Sequence, residues 1–594
     1  MMLFVDAVGP TASMIPFFHH LNVDKEENTA GGLYIEDVVE FVSEVMFLVR
    51  VPSSYQIPSK ENIKCRYGGM THFAYRKALT VHSTTDGRAA VVCSAPSKNL
   101  TWDVNSATVE VDSDREIRRG RINPTYLEPL LWNFTKVVYE VMPTETDVVV
   151  FAHGINNTIG IELPEPERLR QFQCVYGGYY ETPVIAQAQE VFRCPHPSRY
   201  MIPFLSGRKM TLRFEGKAIS TVAYYNPPLT IQLPAKQPSS DATDRKLLSG
   251  IPKDLTLQMH ELSAPNSHKP HHICSCTMIY NGAKFLKEWV YYHSHLGVEK
   301  FYLYDNNSED NLDEVIDGLA GFNVTKTSWP WVKTQEAGFS HCSLVAEPEC
   351  TWMLFTDIDE YLYPNQDLLN PQNAQNASAP AVNEAAAAAP GIAIEGIDKT
   401  QPGHLRSVPS ILTKLIEEAI ALPAEKGEPE ENKKVGQIGI FCQNYGPSGL
   451  TVSPIQGVTQ GYTCRVKRTE RHKALVLLGS VGDALQNVIH HFTLKPGYRT
   501  NNVKPHMATV NHYKFQVWDE FKTKFQRRAA TYVADWTEDR NHSSKDRVPD
   551  LGTKAVKPAD WEVRYCELQD YGLRDYVRKV FGSSRNGTWH LPWE

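Results

Sequence analysis

Between Ile273 and Glu360 the sequence alternates short apolar runs with stretches of helical spacing, and this alternation restricts the chain more than any other feature. Ile273–Ile279, Val298–Tyr304, Val324–Trp329 and Thr351–Thr356 read as strands, with Ala283–Leu296, Asp310–Leu319 and Gln335–Glu347 as the helices between them. In Ala283–Leu296 the large residues Phe285, Trp289, Tyr292 and Leu296 recur at steps of three or four, which places them along one side of a helix. Strands joined through helices pair in parallel. The segment therefore predicts a Rossmann-like α/β sheet whose site lies at the carboxyl ends of its strands.

The flanks read differently. From about Asn62 to Tyr225, runs rich in Val, Tyr, Phe and Thr (Ala89–Cys93, Thr108–Val111, Val148–Ala152, Gln171–Val175, Lys217–Tyr224) are punctuated by Pro, Gly and Asn. That pattern predicts a β-rich, sandwich-like domain over 61–226, after a patternless lead at 1–60. Pro227–His272 is polar and proline-rich and reads as a linker, leaving 273–580 for the α/β domain and 581–594 for a C-terminal tail. Within the α/β domain, 365–404 is a low-complexity insert rich in Ala, Asn and Pro. Ser407–Leu422 is a helix opened by Ser407 or Ser410, β pattern returns through Gly439–Cys442 and Gly461–Val466, and Trp518–Val533 reads as a basic amphipathic helix.

Composition narrows the class. Of 594 residues, 42% are hydrophobic and 22% charged, the balance of a folded chain with several cores. Lys+Arg 61 against Asp+Glu 68 gives a net charge of −7, which offers no global attraction for nucleic acid. No apolar stretch reaches the roughly 18 residues of a membrane span: Asp6 and two prolines break Met1–Phe18, and Glu40 and Glu44 break Val38–Val51. Neither stretch has the layout of a signal peptide. Eleven cysteines nevertheless fall in a loosely paired pattern (Cys65/Cys93, Cys174/Cys194, Cys342/Cys350, Cys442/Cys464), with Cys274, Cys276 and Cys566 over and the true pairing open. Glycosylation sequons begin at Asn99, Asn133, Asn156, Asn306, Asn323, Asn376, Asn541 and Asn586. Together they favour a secretory lumen, with any membrane anchor outside this chain.

The fourth strand runs into Asp357-Ile358-Asp359-Glu360. On an extended chain i and i+2 face the same way, so Asp357 and Asp359 can share one divalent cation that offsets charge on a diphosphate leaving group. The spacing recurs as Asp112-Ser113-Asp114, outside any strand–helix alternation, so the tripeptide alone does not define a site. Tyr304-Asp305-Asn306-Asn307-Ser308-Glu309-Asp310 follows the second strand, where Asp305 and Asn307 can bind a base or ribose while Ser308–Asp310 start a helix. In Asn511-His512-Tyr513 a neutral imidazole can complete a carboxylate metal site, a role for which His490-His491 competes.

Several ordered segments resemble glycosyltransferase family 92. They are Phe285-Leu286-Lys287-Glu288-Trp289 through Gly297-Val298, Phe301-Tyr302-Leu303-Tyr304-Asp305-Asn306-Asn307-Ser308, Trp329-Pro330-Trp331 through Cys342, and Asp357-Ile358-Asp359-Glu360-Tyr361. The resemblance resumes at Gly446-Pro447-Ser448-Gly449, Lys473, His490-His491-Phe492 and Asn511-His512-Tyr513-Lys514. It covers roughly Cys274–Val580 and is similar to the plant-type branch of the family, related to plant β-1,4-galactan synthases.

The resemblance implies a GT-A fold preceded by a β-rich, carbohydrate-binding domain. It also implies transfer of a hexose, galactose favoured, from a UDP-sugar to a glycan acceptor such as a cell-wall polysaccharide. Inversion of the anomeric centre and a divalent cation, usually Mn²⁺, belong to the same expectation, as does a type II membrane protein of the Golgi lumen. Asp357, Asp359 and His512 match the metal ligands; Asp305, Asn307 and Lys473 match donor-binding positions. Tyr361 stands where phenylalanine is common, the insert closely follows the acidic motif, and the expected anchor is absent from this chain. Inversion needs a general base opposite the leaving group, and Glu360 and Asp483 are the candidates, although an extended strand would point Glu360 away from Asp359. The alternative function is a catalytically inactive protein that binds glycan or nucleotide sugar. A glycoside hydrolase would use a carboxylate pair without metal or UDP.

Overall fold

A computed structural model describes residues 33–232, 269–369, 410–423, 433–524 and 557–594, except 42–43, 53, 69–71, 85–86, 98–99, 101, 103–106, 112–114, 119–135, 156–168, 215, 332–333, 489 and 586–587. The linker core, the insert from residue 370, Asp112–Asp114 and the sequons at Asn99, Asn133, Asn156, Asn376, Asn541 and Asn586 lie outside the described residues.

The alternating segment builds the predicted elements: β1 (His271–Ile279), α1 (Ala283–Leu296), β2 (Lys300–Asp305), α2 (Leu312–Asp317), β3 (Val324–Ser328), α3 (Gln335–Ala346) and β4 (Cys350–Phe355). α1 stops at Gly297, whose φ of 116° suits a left-handed cap that a side chain would resist. The strands β3-β2-β1-β4 pair in parallel. Beyond β4 the sheet turns mixed. It continues through β5 (Glu360–Pro364), β6 (Lys434–Asn444), β7 (Glu470–Leu477), β8 (Tyr498–Asn502) and β9 (Ala508–His512) in the order β4-β7-β6-β9-β5, with β8 alongside β6. β7 runs antiparallel to both β4 and β6. Between β5 and β6, α4 (Ile411–Ala421) is capped by Ser410, whose hydroxyl accepts from Thr413 N–H.

Before this sheet lie three others. A seven-stranded antiparallel sheet spans Tyr34–Ile117, and two five-stranded sheets built from Val137–Tyr225 share one core. Glu44–Arg50, Arg88–Ser94 and Val148–His153 are buried on both faces, so their successive side chains serve different cores. Val148 and Val150 enter the core between the five-stranded sheets, while Val149 and Phe151 face the α/β sheet. Val45, Phe47 and Val49 fill the seven-stranded sheet's own core, and Met46 and Leu48 face the α/β sheet. Double burial removes the apolar–polar alternation that marks a strand. That is why Tyr34–Glu40 and Glu44–Arg50, expected to be a patternless lead, instead form a hairpin of this sheet. The shared apolar layer includes Tyr139 packed on Trp331 at 4.8 Å and on Trp329 at 5.8 Å between ring centroids.

Two further expectations are corrected. Residues 581–594 are no loose tail: Ser583–Arg585 and Thr588–His590 pair, and Leu591 and Trp593 are buried in the core of the α/β domain. The stretch expected as β at Gly461–Val466 is the end of a short helix, Val458–Gly461, followed by the two-residue strand Cys464–Arg465.

The described cysteines form five disulfides: Cys65–Cys93, Cys174–Cys194, Cys274–Cys350, Cys276–Cys342 and Cys464–Cys566. Cys342/Cys350 and Cys442/Cys464 are therefore not pairs. Cys274 and Cys276 share one face of β1, where one meets the start of β4 and the other meets α3. Cys442 is a buried free thiol, which burial pushes well up.

Glu288 on α1 anchors the Val458–Gly461 turn from within the core. Its carboxylate accepts from Val458 N–H at 2.8 Å, Thr459 N–H at 3.1 Å and the Thr459 hydroxyl. Gly457 leaves the room: a Cβ there would sit 2.3 Å from Glu288 Oε2. Burial pushes the Glu288 carboxyl up to about 7 despite these bonds. The folded state thus holds this proton more tightly than the unfolded chain, and stability falls as pH climbs from the ordinary carboxylate range to about 7. Glu288→Ala strands two buried N–H groups. It is expected to cost about 3 kcal/mol in urea unfolding at pH 5 and to flatten the slope above it.

Candidate active site

β4 delivers the acidic motif, but not on an extended chain. Glu360 N–H donates to Asp357 O at 3.1 Å and Asp357 N–H donates to Glu360 Oε2 at 2.9 Å, so Asp357–Glu360 is a turn. The reversal brings Glu360 into the cluster instead of away from it, which corrects the expectation from strand geometry. Pairing of β5 with β9 sets Glu360 opposite His512, and pairing of β4 with β7 sets Phe355 opposite Ala474, next to Lys473.

Two cations and two imidazoles meet these carboxylates. Lys473 Nζ lies 3.1 Å from Asp357 Oδ2, 2.9 Å from Glu360 Oε1 and 2.6 Å from His490 Nε2. Asp357 Oδ1 accepts from Gln335 at 3.1 Å and lies 3.7 Å from His490 Nε2. His512 bridges the other pair: Nε2 is 3.6 Å from Asp359 Oδ2 and Nδ1 is 3.5 Å from Glu360 Oε1. The Lys524 ammonium sits on the same Asp359 oxygen. Asp357 and Lys524 keep 30% and 45% of their side-chain surface open, whereas Asp359 and Glu360 are buried beneath them, so the cluster has one solvent-facing side.

Burial sets the protonation states against these neighbours. It raises Asp357, but Lys473, His490 and His512 outweigh it and hold the carboxyl well below the usual range. Burial would lower Lys473; Asp357 and Glu360 reverse that, so it stays an ammonium. Burial lowers His512 well below the ordinary imidazole value, and Lys524, Lys473 and Lys514 add to it, so the ring is neutral. Burial pushes Glu360 up against the pull of Lys473.

Residues 269–387 match the model of glycosyltransferase family 92. A glycosyltransferase family 92 protein of Ricinus communis is 34% identical over 605 residues, covering 100% of this chain and 90% of its own. The chain belongs to glycosyltransferase family 92. Family 92 proteins of Oryza sativa and Arabidopsis thaliana are 33% and 34% identical, each over 95% of this chain and over 82% and 85% of their own lengths. Membership makes this a transferase that moves a glycosyl group from a sugar donor to a glycan acceptor.

In this family 92 chain Asp357, Asp359, Glu360, Lys473, His490 and His512 come together at the end of β4, but they do not converge on one point. Asp357 faces Lys473 and His490 while Asp359 faces His512 and Lys524, and no set of three metal-ligating side chains closes among the described residues. Asp483 stands apart, exposed in a turn whose carbonyl oxygen accepts from Arg193 at 2.7 Å. Asp305 is 1% exposed and spends its carboxylate inside the protein, on Ser308 N–H at 2.9 Å and 3.5 Å from His82 Nδ1. It shapes the loop after β2. Asn306 and Asn307 tie that loop to the carbonyls of Trp329, Trp331 and Pro330, which also removes Asn306 from use as a glycosylation site.

Sequence reasoning passed over the support behind His490. The 483–490 loop is held from the N-terminal side by Arg193 on Asp483 O and by Gln189 on Asn487 O at 2.7 Å. From α3, Ser340 donates to Leu485 O at 2.9 Å, and Asn487 donates to Glu336 O at 2.8 Å. Arg193 is itself fixed by Asp147, with Nε 2.6 Å from Oδ2. Only the fold brings Arg193 to that loop, 290 residues along the chain. Arg193→Ala is expected to lower kcat roughly tenfold by loosening His490 and Lys473, with Arg193→Lys recovering part of it; steady-state kinetics at saturating donor check this.

Proposed function

We propose that the chain is an inverting hexosyltransferase of GT-A type that uses a UDP-sugar, galactose favoured, and a divalent cation to extend a glycan acceptor, with cell-wall polysaccharide the first candidate. The observation that carries this is the ionised Asp357, the buried Asp359, neutral His512 and charged Lys473 gathered at the carboxyl end of β4. Among the described residues no three donors close on one point, so the fit to a metal is one of donor type alone. Two carboxylates and a neutral imidazole suit Mn²⁺, and Asp359 Oδ2 already receives a positive charge from the Lys524 ammonium. Asp357, Asp359 and His512 would hold the ion, which would supply charge neutralisation at the diphosphate.

The chain's own residues do the rest. Lys473, kept cationic by Asp357 and Glu360, is set to stabilise the departing phosphate oxygens. Glu360 is buried and ion-paired, so its part is to hold Lys473 and orient His512; the proton acceptor for the attacking hydroxyl must lie on the open side. Asp305 and Asn307 bear on the donor by shaping the loop after β2. A Golgi-lumen setting is supported by the five disulfides, which form in oxidising compartments. Among the described residues no helix is long and apolar enough to cross a membrane.

The test is UDP release from a panel of UDP-sugars with Mn²⁺, with and without a galactan acceptor. Cation-dependent release that rises with acceptor supports the reading. Metal-dependent UDP binding without release on any acceptor would favour an inactive sugar-nucleotide binder instead.

A further inference from the structure

Two glycosylation sequons, at Asn306 and Asn323, fall among the described residues, and their surroundings differ sharply. Asn306 is 7% exposed, and its amide nitrogen donates to Trp329 O at 2.7 Å and to Trp331 O at 3.1 Å. Both amide hydrogens are therefore spent inside the protein. Asn323 immediately precedes β3, the edge strand of the catalytic sheet. Its backbone is fixed from both sides: Phe322 packs on Tyr291 at 4.8 Å between ring centroids, and Asn323 O accepts from Phe301 N–H at 2.8 Å. Along a strand i and i+2 face the same way, and Asn323 and Thr325, the two residues that the sequon requires, are both exposed. Asn323 Nδ2 lies 3.4 Å from His271 Nε2, a contact that takes one amide hydrogen and leaves the other.

The strand that follows has a reason to be covered. Among the described residues β3 pairs with β2 alone, so its outer edge offers backbone groups to any strand of another chain. The two ends of that edge differ. Towards the carboxyl end, Lys326 and Ser328 share the walls of a cleft with Thr80, Val81 and His82 of the N-terminal sheet. His82 reaches to 3.5 Å from Asp305, the register partner of Ser328. Lys326 also places a charge on the strand, the usual guard against edge pairing. At the amino end Asn323 and Thr325 stand open to solvent, and the sequon falls on this uncovered half. A bulky, hydrophilic group attached there would close the part of the edge that the N-terminal sheet leaves open.

We propose that Asn323 is a modification site that accepts an N-linked oligosaccharide, and that this oligosaccharide shields the amino half of β3 from pairing with other chains. The inference rests on the lumenal setting proposed above, where such a modification takes place. The step joins Asn323 Nδ2 to the anomeric carbon of an oligosaccharide carried on a polyprenyl diphosphate. A carbon–nitrogen bond replaces the carbon–oxygen bond, the polyprenyl diphosphate leaves with the electron pair, and the amide gives up one proton. The hydrogen that remains keeps the contact with His271.

The test uses the full chain, led into the secretory route of a eukaryotic host by a cleavable signal. Peptide N-glycosidase in heavy-oxygen water converts each glycosylated asparagine to labelled aspartate, which mass spectrometry of the digest locates. Label is expected at Asn323 and none at Asn306. Asn323→Gln should lose the mass of one glycan and self-associate about tenfold faster on warming, followed by light scattering. Thr325→Ala removes the sequon without touching Asn323 and should behave in the same way, which guards against a folding fault in either variant. Asn323→Gln/Thr325→Lys should return the parent's rate, because lysine on an edge strand discourages pairing without any glycan. An unlabelled Asn323, label at Asn306, or association no faster without the glycan overturns the proposal. The lumenal setting falls separately if the protein isolated from its own cells carries no glycan while the signalled chain carries one at Asn323.

Discussion

Asp359→Asn should abolish transfer, by roughly a thousandfold or more, while leaving the thermal transition within a few degrees of the parent. Asparagine keeps the shape of the side chain that His512 and Lys524 contact, but lacks the charge that pairs with the Lys524 ammonium. The substitution removes a group from the middle of the donor set without opening a cavity. Far-UV circular dichroism and a UDP-release assay on the same preparation decide the matter. Near-normal turnover would remove Asp359 from the chemistry and with it the metal reading.

Lys473→Met should do more damage, because it acts on the fold as well as on the reaction. Lys473 is 5% exposed and stands between Asp357 and the fully buried Glu360. Removing one partner of a buried ion pair leaves the other uncompensated, at about 3–5 kcal/mol. Glu360→Leu in the same chain should return most of that stability, since an apolar pair of similar volume is tolerated there. It should return none of the activity. Urea unfolding of the single and double variants beside turnover separates the two roles, and a double variant that regains turnover would show that Lys473 serves stability alone.

The parallel half of the catalytic sheet was legible because helices bounded by Gly282 and Gly297 and filled at three- and four-residue steps announce themselves locally. α1 spans Ala283–Leu296, as its spacing predicts. The hairpin at Tyr34–Arg50 was not legible, since each of its strands feeds two cores and carries no alternation. At the site, the acidic motif could be read from its place after a strand, but the turn that draws Glu360 inward could not. Lys524 reaches Asp359 across 165 residues, a meeting that no local pattern encodes. Cysteine pairing failed for a similar reason: Cys342 and Cys350 are neighbours in sequence, yet each is claimed by β1.

Every disulfide among the described residues closes within 65–194 or within 274–566, and none ties the N-terminal sheets to the catalytic one. What joins them is the apolar layer around Tyr139, Phe151, Trp329 and Trp331, together with the Arg193 and Gln189 bonds to the 483–490 loop. The catalytic half made without its predecessor would therefore uncover Trp329 and Trp331, on which Tyr139 and Phe151 pack. The N-terminal sheets are thus the cover of this apolar face, and expression of the catalytic half is expected to need them for solubility.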